Sequence, residues 1–327
     1  MNRLKLLFMG TPAFALPSLE QLYRSVHSLC AVVTQPDRPY GRKGELRPPP
    51  VKEWALKRRI PVLQPPQLRD DLFLGEVAEI APDLIVIVAY GRILPLSLLQ
   101  LPPYGCINLH ASLLPAYRGA APIERAVIDG IPDTGVTVMN VTEELDAGDI
   151  ILQERRPLRF NESAGEVAAG LAAAGSRLLR RAVDEIASGK ARSFPQDHTR
   201  ATYAPPLRPE EEILHWSEEA LSLHNRIRGL NPRPGAYTTF RGRRLKIWRA
   251  APAVQDKEAA DPQGAVVFPH EAAPGSILTL QSGRIFVAAG RGTWLELLEV
   301  QPAGKGRITA DDFYRGYRPA TGERLGE

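Results

Sequence analysis

Residues 83–89 read DLIVIVA, and no other stretch constrains the fold as tightly. Five successive apolar residues, Leu84 to Val88, leave no polar side at a period of two or of 3.6. Four of them are β-branched, which suits a short strand covered on both faces. Such strands belong to sheets with helices on both sides. Residues 4–10 and 29–34 are apolar runs of the same kind, and further strands are read at 105–109 and 136–141. Helices are predicted over 12–26, with Pro12 suited to the first turn, and over 51–59, 68–80 and 121–129. Strand–helix alternation implies an α/β fold built on a doubly wound, mostly parallel, Rossmann-like sheet. Ligands in such sheets bind outside the carboxyl ends of the strands.

Residues 163–189 carry apolar residues at helical spacing, and Ser163 with Glu166 forms a capping box. This long helix is expected to close the first domain. The segment 190–208, with Pro195, Pro205 and Pro206, reads as a linker. Beyond it the period changes. Short strand-like runs at 236–240, 245–250, 264–267, 276–280, 284–288 and 293–300 are separated by glycine and proline, which suggests a small OB-like β-barrel. A length of 327 residues fits two domains. The expected division is a catalytic domain 1–190, a linker 191–207 and a C-terminal barrel 208–327.

The net charge is only +4, but the basic residues are unevenly placed. Residues 220–250 hold no acid and carry Arg226, Arg228, Arg233, Arg241, Arg243, Arg244, Lys246 and Arg249. Such a stretch attracts polyanions, or it is a solvated face that happens to be basic. Cys30 and Cys106 sit inside apolar runs without a CxxC spacing, so reduced core cysteines are expected and a metal site is not. No apolar run approaches the ~20 residues of a membrane span. Residues 1–9 read as a first buried strand rather than a leader, and a cytoplasmic, monomeric protein is expected.

Two segments place polar residues at strand ends. In 106–115 (CINLHASLLP), alternation puts Asn108 and His110 on one face. The second, 143–149 (EELDAGD), follows a strand and offers carboxylates to the imidazole. An amide, a histidine and an acid are the parts needed to stabilise an oxyanion and move protons. A histidine at a strand end is also a common structural feature, and chemistry alone leaves both readings open.

The letters are more specific. N-L-H-x-S-L-L-P followed by L-D-x-G resembles the folate-dependent formyltransferases. The resemblance implies that Asn108, His110 and Asp146 form the catalytic trio. It implies that 10-formyltetrahydrofolate is the co-substrate and that no metal takes part. It assigns the folate pocket to Val88, Ala89, Tyr90, Gly91, Arg92, Ile93 and Leu94, to the loop Ser112, Leu113, Leu114 and Pro115, and to Thr142 and Leu145. Other segments are similar to one branch of that superfamily, the methionyl-tRNA formyltransferases. They are G-T-P-x-F-A-x-P-x-L at 10–19, T-Q-P-D-R-P-x-G-R at 34–42, and the PPPVK that follows at 48–52. Later ones are ATYAP at 201–205, RGLNP at 228–232 and the stretch 298–317. The resemblance covers about residues 3–319, with Arg233 standing where the family commonly has tryptophan.

This branch implies charged initiator tRNA as the partner. Arg38, Arg42 and Lys43 of the loop 36–47 would contact its acceptor end. Arg226, Arg241, Arg243, Arg244 and Lys246 of the barrel would contact its backbone. A small-amine formyltransferase acting on a sugar nucleotide shares the trio, but it leaves residues 34–42 and the basic barrel without a use. An idle RNA-binding protein would leave the trio without one.

Overall fold

The computed structural model describes residues 2–40, 44–253, 266–269 and 271–327. Contacts divide the chain into two compact units. One is Met1–Pro122, Asp133–Pro157 and Val167–Pro206; the other is Ile123–Pro132, Leu158–Glu166 and Leu207–Glu327. The segment 191–206, read as a linker from its prolines, is counted with the first unit.

The first unit begins with β1 (Lys5–Gly10), buried from Leu6 onward. A 3-10 turn at Ala13–Ala15 leads into α1 (Leu16–Tyr23), shorter than the predicted 12–26. The helix ends early because the chain turns back, and His27 Nδ1 accepts the Leu4 N–H at 3.2 Å. Next come β2 (Ser28–Val33) and a hairpin of β3 (Arg38–Tyr40) with β4 (Glu45–Arg47). They are followed by α2 (Pro50–Leu56), β5 (Val62–Leu63) and α3 (Asp71–Ile80). Asp70 caps α3 by accepting the Leu72 N–H. Then come β6 (Leu84–Val88), buried throughout, α4 (Leu96–Leu99) and β7 (Cys106–His110). After α5 (Pro122–Ile128), which from Ile123 on is counted with the second unit, β8 (Asp133–Asn140) and β9 (Ile150–Pro157) complete the sheet, and α6 (Ala164–Ala187) starts at the predicted capping box.

The seven strands lie in the order β5-β2-β1-β6-β7-β8-β9. Every pair from β5 to β7 is parallel, and β8 and β9 are antiparallel to their neighbours. The strand order reverses between β1 and β6, so the crevice that doubly wound sheets use for ligands opens at Gly10 and Val88. Gly10 is required there: a Cβ would lie 2.9 Å from the Val88 carbonyl oxygen. The core on one face gathers Leu7, Met9, Ile85 and Ile87 with Phe73, Val77 and Leu98.

The second unit holds α7 (Ala220–Gly229), β10 (Tyr237–Phe240), β11 (Arg243–Pro252), β12 (Ile277–Thr279), β13 (Ile285–Ala288), β14 (Trp294–Pro302), β15 (Ile308–Thr309) and α8 (Ala310–Tyr317). The antiparallel order is β10-β11-β14-β13-β12, with β15 on β14. The C-terminal segment joins the two edges. Leu325 bridges to Phe240 of β10, and Arg324 bridges to Ser276 beside β12. Leu223 and Ile227 of α7, Leu230 just after it and Phe313 of α8 fill the interior with Leu245, Ile247 and Leu297. The strand expected at 264–267 lies partly outside the described residues, and 266–267 are not in a strand.

Candidate active site

Asn108 and His110 stand on one face of β7, opposite Met139 and Thr137 of β8. His110 is only 6 % exposed. Its Nε2 donates to the Tyr117 carbonyl oxygen at 2.8 Å, and its Nδ1 lies 3.6 Å from Asp146 Oδ2. Both ring nitrogens therefore face acceptors. Asn108 is half-buried, and among the described residues its side-chain amide makes no hydrogen bond. It is the free donor of the group.

Asp146 comes from the turn between β8 and β9. Its φ of 50° is in the left-handed region, unusual for a residue other than glycine. Its Oδ2 accepts the Gly119 N–H at 2.8 Å. Among the described residues its Oδ1 accepts none. The loop after β7 thus contributes two backbone groups, the Tyr117 carbonyl and the Gly119 N–H. The sequence reading did not single out either one. The signal available was Gly119, whose φ is 114° and whose Cβ would lie 2.9 Å from the Ala204 carbonyl oxygen.

The segment expected to meet the folate begins at the buried end of β6. Val88 and Tyr90 are buried, while Ala89 and Gly91 have φ of 50° and 82°. The Tyr90 carbonyl accepts from Gln35 Nε2 at 2.8 Å and Thr11 Oγ1 at 3.2 Å, which ties the carboxyl ends of β1, β2 and β6 together. Burial pushes the Tyr90 phenol above its ordinary range. Arg92 Nη1 donates to the Pro66 carbonyl at 2.7 Å; Ile93 is 73 % exposed and Leu94 is buried. Arg92, Ile93, Leu94 and Pro95 line a cavity of about 360 Å³ with Gln67, Leu68 and Arg69; it touches none of the trio.

Ser112 and Leu114 are buried. The Ser112 hydroxyl donates to the Ala116 carbonyl at 2.6 Å, and Leu114 N–H donates to Thr137 Oγ1 at 3.2 Å, so both are committed inside the protein. Leu113 and Pro115 are half-exposed, and Thr142 and Leu145 are exposed on the turn that carries Asp146. The Cys106 thiol is buried and pushed up to about 12 by that burial, as expected of a core cysteine. Among the described residues no cluster of three or more His, Cys, Asp or Glu is placed to hold a metal ion. No helix among them is long and apolar enough to cross a membrane.

The basic residues fall into two groups. Arg226 Nη2 pairs with both carboxylate oxygens of Glu218 at 3.0 and 3.1 Å, and Arg241 does the same with Glu323 at 2.9 Å. A run without acids in the sequence is thus partly neutralised by acids from elsewhere in the same unit. Arg243 and Arg244 are exposed, the latter 3.6 Å above the Tyr237 ring. Lys246 Nζ donates to the Pro234 carbonyl at 2.6 Å. In the first unit Arg38 is exposed on β3 and donates to Gln35 Oε1 at 2.6 Å. Arg42 and Lys43 lie outside the described residues.

Two family models match the chain: formyl transferase over residues 3–183, and the formyl transferase C-terminal domain over 206–318. The chain is 48 % identical to the methionyl-tRNA formyltransferase of Moorella thermoacetica, over 99 % of each chain. It is 44 % identical to that of Bacillus subtilis over 98 % of each. An N-formyltransferase from Helicobacter canadensis, crystallised with folinic acid and dTDP-3-aminofucose, is similar in fold. Its TM-score is 0.66 at 16 % identity, over 91 % of this chain and 99 % of that one. A sugar 3N-formyl transferase gives a TM-score of 0.65 at 14 % identity, over 94 % and 100 %. Sequence matches of this extent, on a fold that brings Asn108, His110 and Asp146 together, mean that the chain belongs to the formyl transferase family, among the methionyl-tRNA formyltransferases.

Proposed function

We propose that the chain transfers the formyl group of 10-formyltetrahydrofolate to the α-amino group of methionine carried on initiator tRNA. The observation that carries the chemistry is the approach of Asp146 Oδ2 to His110 Nδ1 at 3.6 Å, beside the unengaged amide of Asn108. The neutral amine attacks the formyl carbon, and a new C–N bond forms as the carbonyl oxygen becomes an oxyanion. Asn108 donates a hydrogen bond to that oxygen. His110 already donates to a carbonyl oxygen, that of Tyr117, and exchanges it for the oxyanion. Asp146 Oδ1 takes the proton from the attacking amine and returns it to N10 of the folate as the C–N10 bond breaks. Folate supplies the reactive carbon; the protein supplies orientation and electrostatics.

The turn 88–94 is assigned to the pterin side, with Leu113, Pro115, Thr142 and Leu145 as further walls. Ser112 and Leu114 support those walls from inside the protein. Arg38, Arg42 and Lys43 are assigned to the acceptor end of the tRNA, and Arg243, Arg244 and Lys246 to its backbone. Arg226 and Arg241 act there only in so far as Glu218 and Glu323 release them. The catalytic residues belong to residues 1–190, the barrel to 208–327, and the enzyme is taken to act as a cytoplasmic monomer. The test is a competition. Given 10-formyltetrahydrofolate, charged initiator tRNA and an amino-sugar nucleotide, the enzyme should formylate the tRNA; preferential formylation of the nucleotide would contradict the reading.

A further inference from the structure

Gln196 lies in the irregular segment after α6 and is 5 % exposed. Its Oε1 accepts two hydrogen bonds from Arg118, Nη2 at 2.7 Å and Nε at 3.2 Å. Its Nε2 donates to the carbonyl oxygens of Asp146 at 2.8 Å and Gly148 at 2.7 Å. One side chain thus joins the turn that carries Asp146 to the loop after β7. Arg118 is 1 % exposed and also reaches His198 Nδ1 at 3.3 Å and Glu144 Oε1 at 3.7 Å.

The same segment grips that loop through its backbone. Thr202 Oγ1 accepts the Tyr117 N–H at 2.8 Å, and the Thr202 carbonyl accepts the Arg118 N–H at 2.8 Å. Ala204 N–H donates to the Arg118 carbonyl at 2.7 Å. The loop's own backbone then holds the reacting side chains, His110 through the Tyr117 carbonyl and Asp146 through the Gly119 N–H. A buried guanidinium and amide are a costly way to fill space, since each needs every hydrogen bond satisfied. Apolar side chains would pack there more cheaply, but they would not pin a left-handed turn by its carbonyl oxygens.

We infer that Gln196, with Arg118 behind it, is a positioning residue for Asp146: the buried bridge holds the carboxylate at its distance from His110. The inference rests on the reading of Asp146 as the group that relays the proton.

Gln196→Leu removes both donors. Its kcat should fall on the order of ten- to hundredfold, the usual effect of a misplaced reacting group. KM for the folate and for charged tRNA should stay within about twofold, since neither substrate touches Gln196 in this account. Gln196→Glu keeps an acceptor for Arg118 and loses the donors to Asp146 and Gly148. It should show the same loss of kcat, and it keeps the test decisive if the leucine variant does not fold. In an Asp146→Asn background, Gln196→Leu should cost less than about twofold more, because it acts through Asp146. Wild-type kcat in Gln196→Glu, or an undiminished further loss in the Asp146→Asn background, overturns the inference. Wild-type turnover in Asp146→Asn alone overturns the reading of Asp146 and the inference with it.

Discussion

The carboxylate of Asp146 accepts the Gly119 N–H at 2.8 Å, through the same oxygen that faces His110. A backbone group that cannot rotate away therefore sets the carboxylate. Its placement depends in turn on Gly119 keeping a φ of 114° while lying against the Ala204 carbonyl.

Gly119→Ala is expected to fail on both counts. A side chain at that φ is strained, at a cost of about 1–3 kcal/mol. The Cβ would also push the loop off Ala204. Chemical denaturation should show the loss of stability. Turnover should fall by about tenfold or more as the Asp146 carboxylate loses its support. Wild-type turnover in a destabilised Gly119→Ala would show that this hydrogen bond does not position the acid.

Arg243 and Arg244 should differ from Arg226 and Arg241. The first pair is exposed, while the second is paired to Glu218 and Glu323. Replacing Arg243 and Arg244 with alanine should weaken tRNA binding and reduce the salt slope by about one to two, as expected when two phosphate contacts are lost. Arg226→Ala and Arg241→Ala should leave that slope nearly unchanged and lower stability instead. Titrations of charged tRNA across a salt series separate the two groups. Equal slopes in the Arg243/Arg244 double variant, Arg226→Ala and Arg241→Ala would mean that Arg243 and Arg244 do not contact the backbone.

How far the sequence revealed this molecule follows from what each segment buries. β1, β2 and β6 were legible because both faces are covered and polar residues are nearly absent. β9 was missed: its IILQERRP buries only Ile151 fully and otherwise alternates half-buried and exposed residues, so no apolar run marks it. The hairpin of β3 and β4 holds proline, arginine and glutamate, and Arg38, Pro39 and all of β4 are exposed, so no apolar period marks it. α7 keeps its apolar stripe among basic residues, and the charge pattern drew attention away from Leu223 and Ile227. In the site, the common face of Asn108 and His110 follows from strand alternation alone. The approach of Asp146 depends on a left-handed turn and a backbone N–H from another loop, which no local pattern announces. Gln196 was invisible for the same reason, because its partners are carbonyl oxygens about fifty residues away in the chain.

Acid should destabilise the second unit in a defined window. The Arg125 hydrogen bonds hold the Glu211 carboxyl down at about 2, from an ordinary 4.5. The folded state thus prefers the charged carboxylate. The stability this contributes is complete above about 4.5 and is lost as the pH falls towards about 2. Glu211→Gln should cost about 1 kcal/mol at neutral pH and should make the acid limb shallower within that window. Denaturation curves at several pH values check this, and an acid limb as steep in Glu211→Gln as in the wild type would remove the pair from the account.

The central claim is that Asn108 and His110 act on one developing oxyanion during formyl transfer to charged tRNA. The direct measurement is the single-turnover rate of formyl transfer from 10-formyltetrahydrofolate to methionyl initiator tRNA, in Asn108→Ala, His110→Ala and the double variant. Each single change should slow the step by about two orders of magnitude or more, and the double variant should lose less than the product of the two. A wild-type rate in either single variant, or losses that multiply in full, would contradict it.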